Sequence, residues 1–294
     1  MKQIQLIALL LAAAGLTACS SDEGTGEAPL KMIVDVTENP FTDISSSAKA
    51  RVATRTAAVT TTESLDAFSM NYTQDFKYDF NKSKTSGKWT DINTWPSGVN
   101  VCDFYAYTGG TFNFKDSNGT PNPYIAFTVR EDPFKQHDLL VAEHKQIGYH
   151  DAGGHVSLSF DHALAAVQFK VQITNTWKQE HGNALTVNKI VLKNVSNSGD
   201  YHYDGKSWTI NNSSANYTLT NGKLTVTTDY QELPCGYLFL IPQSRKANGT
   251  QGTYIEVNYT FSDTEKTANI PFKVDWKAGS LYTIEIRLGT TYIK

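Results

Sequence analysis

Short alternations of apolar and polar residues run through most of this chain, and each is a strand candidate. In LKMIVDVT (30–37), Met32, Val34 and Val36 alternate with Lys31, Ile33 and Asp35, so one face is apolar and the other mixed. Similar segments follow at 67–73, 77–81, 88–90, 101–108, 111–116 and 124–130. After an apolar patch at 139–142, 155–160 leads into 162–174. The second half continues at 184–195, 201–210, 217–228, 253–263 and 267–276. GYLFLIPQ (236–243) is nearly all apolar, which predicts a strand buried on both faces and ended by Pro242. In the last strong segment, SLYTIEIRLG (280–289), Tyr282, Ile284 and Ile286 share one face. Gly109-Gly110, Asp204-Gly205 and Asn221-Gly222 each predict a two-residue hairpin turn. No long helical period appears beyond the N-terminal apolar run. The pattern predicts an all-β fold of two tandem antiparallel β-sandwich domains, 30–161 and 162–294, joined near 160–166.

Two stretches break the alternation. Residues 42–64, TDISSSAKARVATRTAAVTTTES, lack aromatics and carry Lys49, Arg51 and Arg55 among small hydroxyl residues. That composition predicts an exposed loop, the kind of segment proteases cut. The N-terminus, MKQIQLIALLLAAAGLTACS, has one early Lys and an apolar run too short to span a bilayer, then Leu16-Thr17-Ala18-Cys19. These are the parts of an export signal over 1–18, and the last four residues resemble a bacterial lipobox. Cys19 would then carry lipid, and several acyl chains would hold the chain at a membrane. Residues 19–29 read as a flexible acidic spacer. Ser21-Asp22-Glu23 is similar to surface-export signals of Bacteroidota lipoproteins.

Composition agrees with a β-rich exported protein. Aromatics make up 12% of the 294 residues, with 15 Tyr and 14 Phe. A net charge of −3 with no basic stripe gives no footprint for nucleic acid. Besides Cys19, only Cys102 and Cys235 occur, so cores rather than a disulfide framework must hold the fold. A Cys102–Cys235 bridge is one reading, and buried free thiols are the preferred one.

HExxH, GxSxG, a phosphate-binding glycine loop and CxxC are missing from the sequence. The chain therefore reads as a non-enzyme with no cofactor. His137, His144, His150, His155 and His162 cluster with Asp138, Glu143 and Asp151, but their irregular spacing specifies no metal geometry. They read as polar loop residues, with His162 at the domain junction.

Several ordered segments resemble the fimbrillin family of Bacteroidota, the Mfa-like pilus subunits. They are the lipobox and first strand followed by KARVATR (49–55), KWT (88–90) with Trp95-Pro96, DLLVA (138–142), SLSFDHALAAVQFKV (157–171), YLFLIPQ (237–243) and WKAGSLY (276–282). The resemblance implies two transthyretin-like domains and assembly by strand exchange. It implies a lipidated outer-membrane precursor cut by an arginine-specific protease after Arg51 or Arg55. The first strand, with Met32, Val34 and Val36, would leave, and other pilin subunits would refill its groove. Tyr282, Ile284, Ile286 and Leu288 form the candidate donor strand, unless that strand stays paired in its own domain. In that case a tip, anchor or accessory role fits better than the stalk. The implied location is the outer membrane surface and, after maturation, a pilus that meets a host or bacterial surface ligand. The alternative is a lipid-anchored carbohydrate-binding surface protein, with a secreted hydrolase third.

Overall fold

The computed structural model describes residues 31–43, 65, 67–72, 76–81, 93–95, 98–245, 252–271 and 273–290. Cys19, Arg51 and Arg55, the 88–90 segment and most of the predicted 42–64 loop lie outside them. The first half contributes β1 (Lys31–Glu38), β2 (Thr42–Asp43), β3 (Ala67–Tyr72), β4 (Phe76–Asn81) and β5 (Asn93–Thr94). It continues with β6 (Val101–Tyr107), β7 (Thr111–Lys115), β8 (Pro121–Thr128), β9 (Leu140–Gly148) and β10 (His155–His162). The second half holds β11 (Ala165–Ile173), β12 (Leu185–Val195), β13 (Ser198–His202), β14 (Ser207–Ile210), β15 (Ala215–Thr218) and β16 (Leu224–Val226). It ends with β17 (Gln231–Leu240), β18 (Ser244–Arg245), β19 (Tyr254–Phe261), β20 (Thr264–Pro271), β21 (Val274–Asp275) and β22 (Ser280–Leu288). The fold is all-β, as the alternation predicts.

Two cores organise these strands. The N-terminal sheet, in order β4-β3-β6-β9-β10-β1-β5, buries Met32, Phe68, Met70, Phe104, Val156, Leu158 and Phe160 in one cluster. In the second half the β17-β11-β22-β2 sheet contributes Val167, Phe169, Val171, Ile286 and Leu288. The β15-β12-β19-β20 sheet contributes Val187, Ile190, Leu192, Val257 and Tyr259 to the same core. The strict period of two in β11 places every second side chain from Val167 to Ile173 in that core. β6 is buried on both faces because it serves both clusters. Phe104 and Ala106 enter the first, Tyr105 and Tyr107 the second.

The halves are not separated as the sequence predicts. β8 pairs antiparallel with β13, from Ser198↔Thr128 to His202↔Tyr124, so one four-stranded sheet, β14-β13-β8-β7, draws on both sides of residue 162. Tyr203 Oη donates to the Ala106 carbonyl at 2.8 Å and Trp208 Nε1 to the Ala163 carbonyl at 2.8 Å, which adds to this seam.

Four local expectations are corrected. Gly109-Gly110 does not close a hairpin between β6 and β7; β6 pairs with β3 and β9, and β7 with β8. The two glycines carry the chain from one sheet to another. Gly110 has φ +83°, and a Cβ there would sit 2.6 Å from Ile125 Cγ2 and 2.8 Å from the Ala126 carbonyl oxygen. Asn221-Gly222 does not close a two-residue hairpin either, and neither residue has positive φ. β15 and β16 both pair with different stretches of the eleven-residue β12 instead of with each other. Third, β17 is an edge strand buried on alternate residues, not a strand buried on both faces. Fourth, Thr42–Asp43 form a strand where the sequence predicts loop. Asp204-Gly205 does connect a hairpin, β13 to β14, with Gly205 at φ 73°.

Not every pairing is antiparallel. β1 runs parallel to β10, and β11 runs parallel to β22. Each half therefore lays its first strand beside its last. Two short helices escaped the sequence reading, the four-residue α1 (Tyr149–Ala152) and α2 (Asn175–His181). The signals of α2 are the Thr174 cap, whose Oγ1 accepts from the Trp177 N–H, and Gly182 past its end.

The close approach at Gly110 yields a stability test. Gly110→Ala should lower the unfolding free energy by about 1–3 kcal/mol, through overpacking and a strained φ. Gly222→Ala, with no heavy atom within 4 Å of its Cβ, should stay within about 0.5 kcal/mol of the parent in urea denaturation.

Candidate strand-exchange groove

β1 is inserted into the N-terminal sheet next to its last long strand. Ile33 to Glu38 pair in parallel with His155 to Phe160. On its other side, among the described residues, β1 meets only two-residue β5, at Lys31↔Thr94 and Met32↔Asn93. The Ile33 N–H donates to the Gly154 carbonyl at 2.9 Å, and the Asn39 N–H to Phe160 at 2.8 Å. Met32 is 1% exposed, and Val34 and Val36 are partly buried against the same cluster. The three residues predicted for the first strand thus fill one apolar groove, beside Val156, Leu158 and Phe160. The opposite face of β1 is mixed, and on it Asp35 Oδ2 lies 2.8 Å from His155 Nδ1.

Beyond Glu38 the segment crosses to the second half. Asn39 Nδ2 donates to Ser159 Oγ at 3.1 Å and to Asp161 Oδ1 at 2.7 Å. The other Asp161 oxygen accepts from Lys206 Nζ at 2.8 Å. Partial burial pushes Asp161 up, but the bonds from Lys206 and Asn39 outweigh it and leave its carboxyl below the ordinary range. Phe41 stacks on His162, ring centroids 3.6 Å apart at 17°, with Phe239 at 6.2 Å. Beneath that ring His162 Nδ1 hydrogen-bonds Asp138, whose other oxygen accepts from the Leu139 N–H at 2.8 Å. Burial raises the Asp138 carboxyl above its usual range, against the opposing pull of His162. Glu38 Oε1 approaches His162 Nε2 to 3.9 Å. β2 then pairs in parallel with the start of β22, at Thr42↔Ser280 and Asp43↔Leu281. One extended segment, 31–43, therefore borders the last strand of each half.

Asn39, Phe41 and the Asp138–His162 pair were not singled out as parts of this groove by the sequence. Pro40, which ends a strand, and Phe41, isolated beyond the alternation, were the available signals. The candidate donor residues lie elsewhere. β22 pairs with β11 from Ala166↔Leu281 to Ile173↔Leu288, with Tyr282, Ile286 and Leu288 buried in the second core and Ile284 packed at its margin.

The remaining candidates separate in space. Cys102 and Cys235 are free and buried, in different clusters, and burial pushes each thiol up to about 11, with Asp103 adding to the shift at Cys102. His155 and His162 take different carboxylate partners, Asp35 and Asp138. Among the described residues, no group of three or more His, Cys, Asp or Glu side chains is placed to hold a metal ion. Among them too, no helix is long and apolar enough to cross a membrane. The arrangement holds one extended segment, 31–43, by main-chain pairing, apolar burial and polar ties at once.

Comparison with known proteins agrees with this architecture. The fold resembles a crystal structure of a fimbrial protein from Bacteroides vulgatus, with TM-score 0.56 and 17% identity over 90% of this chain and 96% of that one. It also resembles a candidate cell adhesion protein from Bacteroides uniformis, with TM-score 0.52 and 13% identity over 92% of this chain and 96% of that one. No curated protein matches the chain. The model of the fimbrillin-like family matches residues 44–294, so the chain belongs to the fimbrillin-like family.

Proposed function

We propose that this chain is a structural subunit of a cell-surface pilus, assembled by exchange of its first strand. One observation carries the reading: β1 fills an apolar groove beside β10 yet, among the described residues, is flanked outside by only two residues of β5. A strand so placed is separable from the sheet without dismantling it. Its removal would expose unpaired N–H and C=O groups of β10 together with the pockets of Met32, Val34 and Val36. An incoming strand would satisfy both at once, which is the β-augmentation mode of binding. The contact is heterologous, the kind that extends into a filament through subunits that both accept and donate.

Cleavage supplies the trigger. While the 44–64 segment is intact, β1 is tethered to the body at a high effective concentration. A cut after Arg51 or Arg55 makes its retention bimolecular, and dilution then favours loss to a competing donor. The same cut would sever a lipid on Cys19 from the body. The subunit would begin as a lipoprotein at the outer membrane surface and end in the pilus, with other pilin subunits, an arginine-specific protease and a surface ligand as partners. The reading assigns it no catalytic role.

The last strand limits its part in the filament. β22 is a core strand of its own half, bonded to β11 along its length. As a donor it would have to abandon Ile286 and Leu288, both buried. We therefore favour an accepting role at a tip or anchor over a stalk subunit that both accepts and donates.

Three outcomes are expected. Arginine-specific proteolysis of the purified precursor should give a body starting at Val52 or Thr56 by intact mass, and Arg51→Ala with Arg55→Ala should block it; a resistant parent chain contradicts the reading. Met32→Ala should cost about 2–4 kcal/mol of stability by denaturant titration, the range for a buried large-to-small change. Asp161 has a lowered folded pKa, so its tie to Asn39 is fully present above the ordinary carboxylate value of about 4 and is lost as pH falls through the lower folded value. Peptide 30–43 should therefore leave cleaved protein faster in acid by fluorescence polarisation, and Asp161→Asn should flatten that dependence.

A further inference from the structure

After Val36 the first segment leaves the apolar groove and turns its side chains to solvent. Thr37, Glu38, Asn39 and Pro40 are exposed, as are Thr42 and Asp43. Phe41 alone among them is half-buried, its ring laid flat on His162 with Phe239 to one side. The seat of that ring is a socket whose floor is His162. His162 belongs to β10, pairs with Leu140 of β9 and is held through Nδ1 by Asp138. Thr108 Oγ1 donates to the Asp138 carbonyl at 3.4 Å and accepts from the Leu140 N–H at 2.9 Å, which braces the floor. All of these socket residues lie outside 31–43.

Main-chain bonds on either side fix where the ring arrives. The Asn39 N–H donates to the Phe160 carbonyl at 2.8 Å, and the Thr42 N–H to the Gly279 carbonyl at 2.7 Å. Gly279 is itself bonded through its N–H to the Leu164 carbonyl at 2.9 Å. Only Pro40 and Phe41 lie between those two pins, and Pro40 has a fixed φ. The ring therefore reaches the socket from one position in the sequence, five residues after Val36. The residues before and after it, Pro40 and Thr42, face solvent.

We propose that this socket selects the strand that replaces the first segment, by taking an aromatic side chain of the donor. The proposal rests on the exchange reading above and adds a recognition rule to it. A donor would carry apolar residues at the places of Met32, Val34 and Val36, and an aromatic ring five residues beyond the last of them. The geometry favours a ring over an aliphatic chain. Two flat rings with centroids 3.6 Å apart, inclined by 17°, touch over their whole faces, whereas a branched chain meets the imidazole at fewer atoms. A small residue would open the His162–Asp138 pair, whose side chains are 4% and 9% exposed, to water. The rule also excludes a second copy of this chain as donor. With Tyr282, Ile284 and Ile286 in the groove, the fifth residue beyond is Thr291; with Ile284, Ile286 and Leu288 it is Ile293. Neither is aromatic, so the partner is a different subunit.

Peptide competition on the nicked full chain tests this. The chain would be cut by an arginine-specific protease, or at an inserted site for another protease if Arg51 and Arg55 resist, and loaded with fluorescein-labelled peptide 30–43. Unlabelled peptides would then displace the label, read by fluorescence polarisation. Peptide 30–43 should displace it, and its Phe41→Tyr variant should match it within about threefold. Phe41→Leu should be at least about fivefold weaker and Phe41→Ala at least about tenfold, the loss of a stacked ring. Phe41→Ala combined with Thr42→Phe, which moves the ring by one residue, should be as weak as Phe41→Ala alone. Peptide 280–294 should compete no better than that. The substitutions are in the peptides, so folding of the body is not at stake. Parent-like competition by the Phe41→Leu, Phe41→Ala or shifted-ring peptide overturns the proposal while exchange stands, and so does parent-like competition by peptide 280–294. If the parent peptide neither loads nor displaces, the exchange reading falls and this proposal with it.

Discussion

The hydrogen-bonding demand of β10 governs the N-terminal half. A strand facing an apolar core presents N–H and C=O groups that need partners, because a buried, unpaired group costs about 1–3 kcal/mol. β9 meets that demand at only two residues, Asp161 and His162. Along His155 to Phe160 it is met by β1. The same strand fills the apolar groove with Met32 and brings Val34 and Val36 over it. Main chain and side chain therefore depend on one segment, and whatever replaces it must satisfy both.

The second half uses the same device with a different outcome. β11 lies parallel to β22 as β1 lies parallel to β10. β11, however, has the ten-residue β17 on its far side, whereas among the described residues β1 has only β5. The two first strands are topological equivalents with unequal attachment. β11 is also continuous with β10 through Ala163 and Leu164, both fully buried, so it cannot leave without breaking both cores. β1 is the less attached of the two because of its described neighbours, not its own sequence. At the junction Phe41 over the His162–Asp138 pair joins the segment to the second half, so its release would be felt by both.

The strands were legible because a half-buried sheet imposes a period of two, as in 155–160 and 165–173. What eluded the sequence was which strand pairs with which. Gly109-Gly110 and Asn221-Gly222 carry the composition of hairpin turns. In the fold the first is a crossing between sheets and the second joins two strands that share β12. Local turn chemistry does not encode partners set by distant packing. β17 read as doubly buried because its apolar run hides that Tyr237 and Phe239 are only partly covered. The apolar half of the groove, Met32, Val34 and Val36, was visible as alternation. The polar half, Asn39 to Asp161 to Lys206, joins residues from three distant segments and left no local pattern.

Hydrogen exchange with mass spectrometry tests the central claim most directly, that β1 is held as a unit distinct from the sheet it completes. The account predicts that amides of Ile33 to Glu38 exchange through a local opening, at a free energy well below that of β11 and β22, with β10 deprotected in the same event. Exchange of β1 only through global unfolding, in step with β11 and β22, would contradict it.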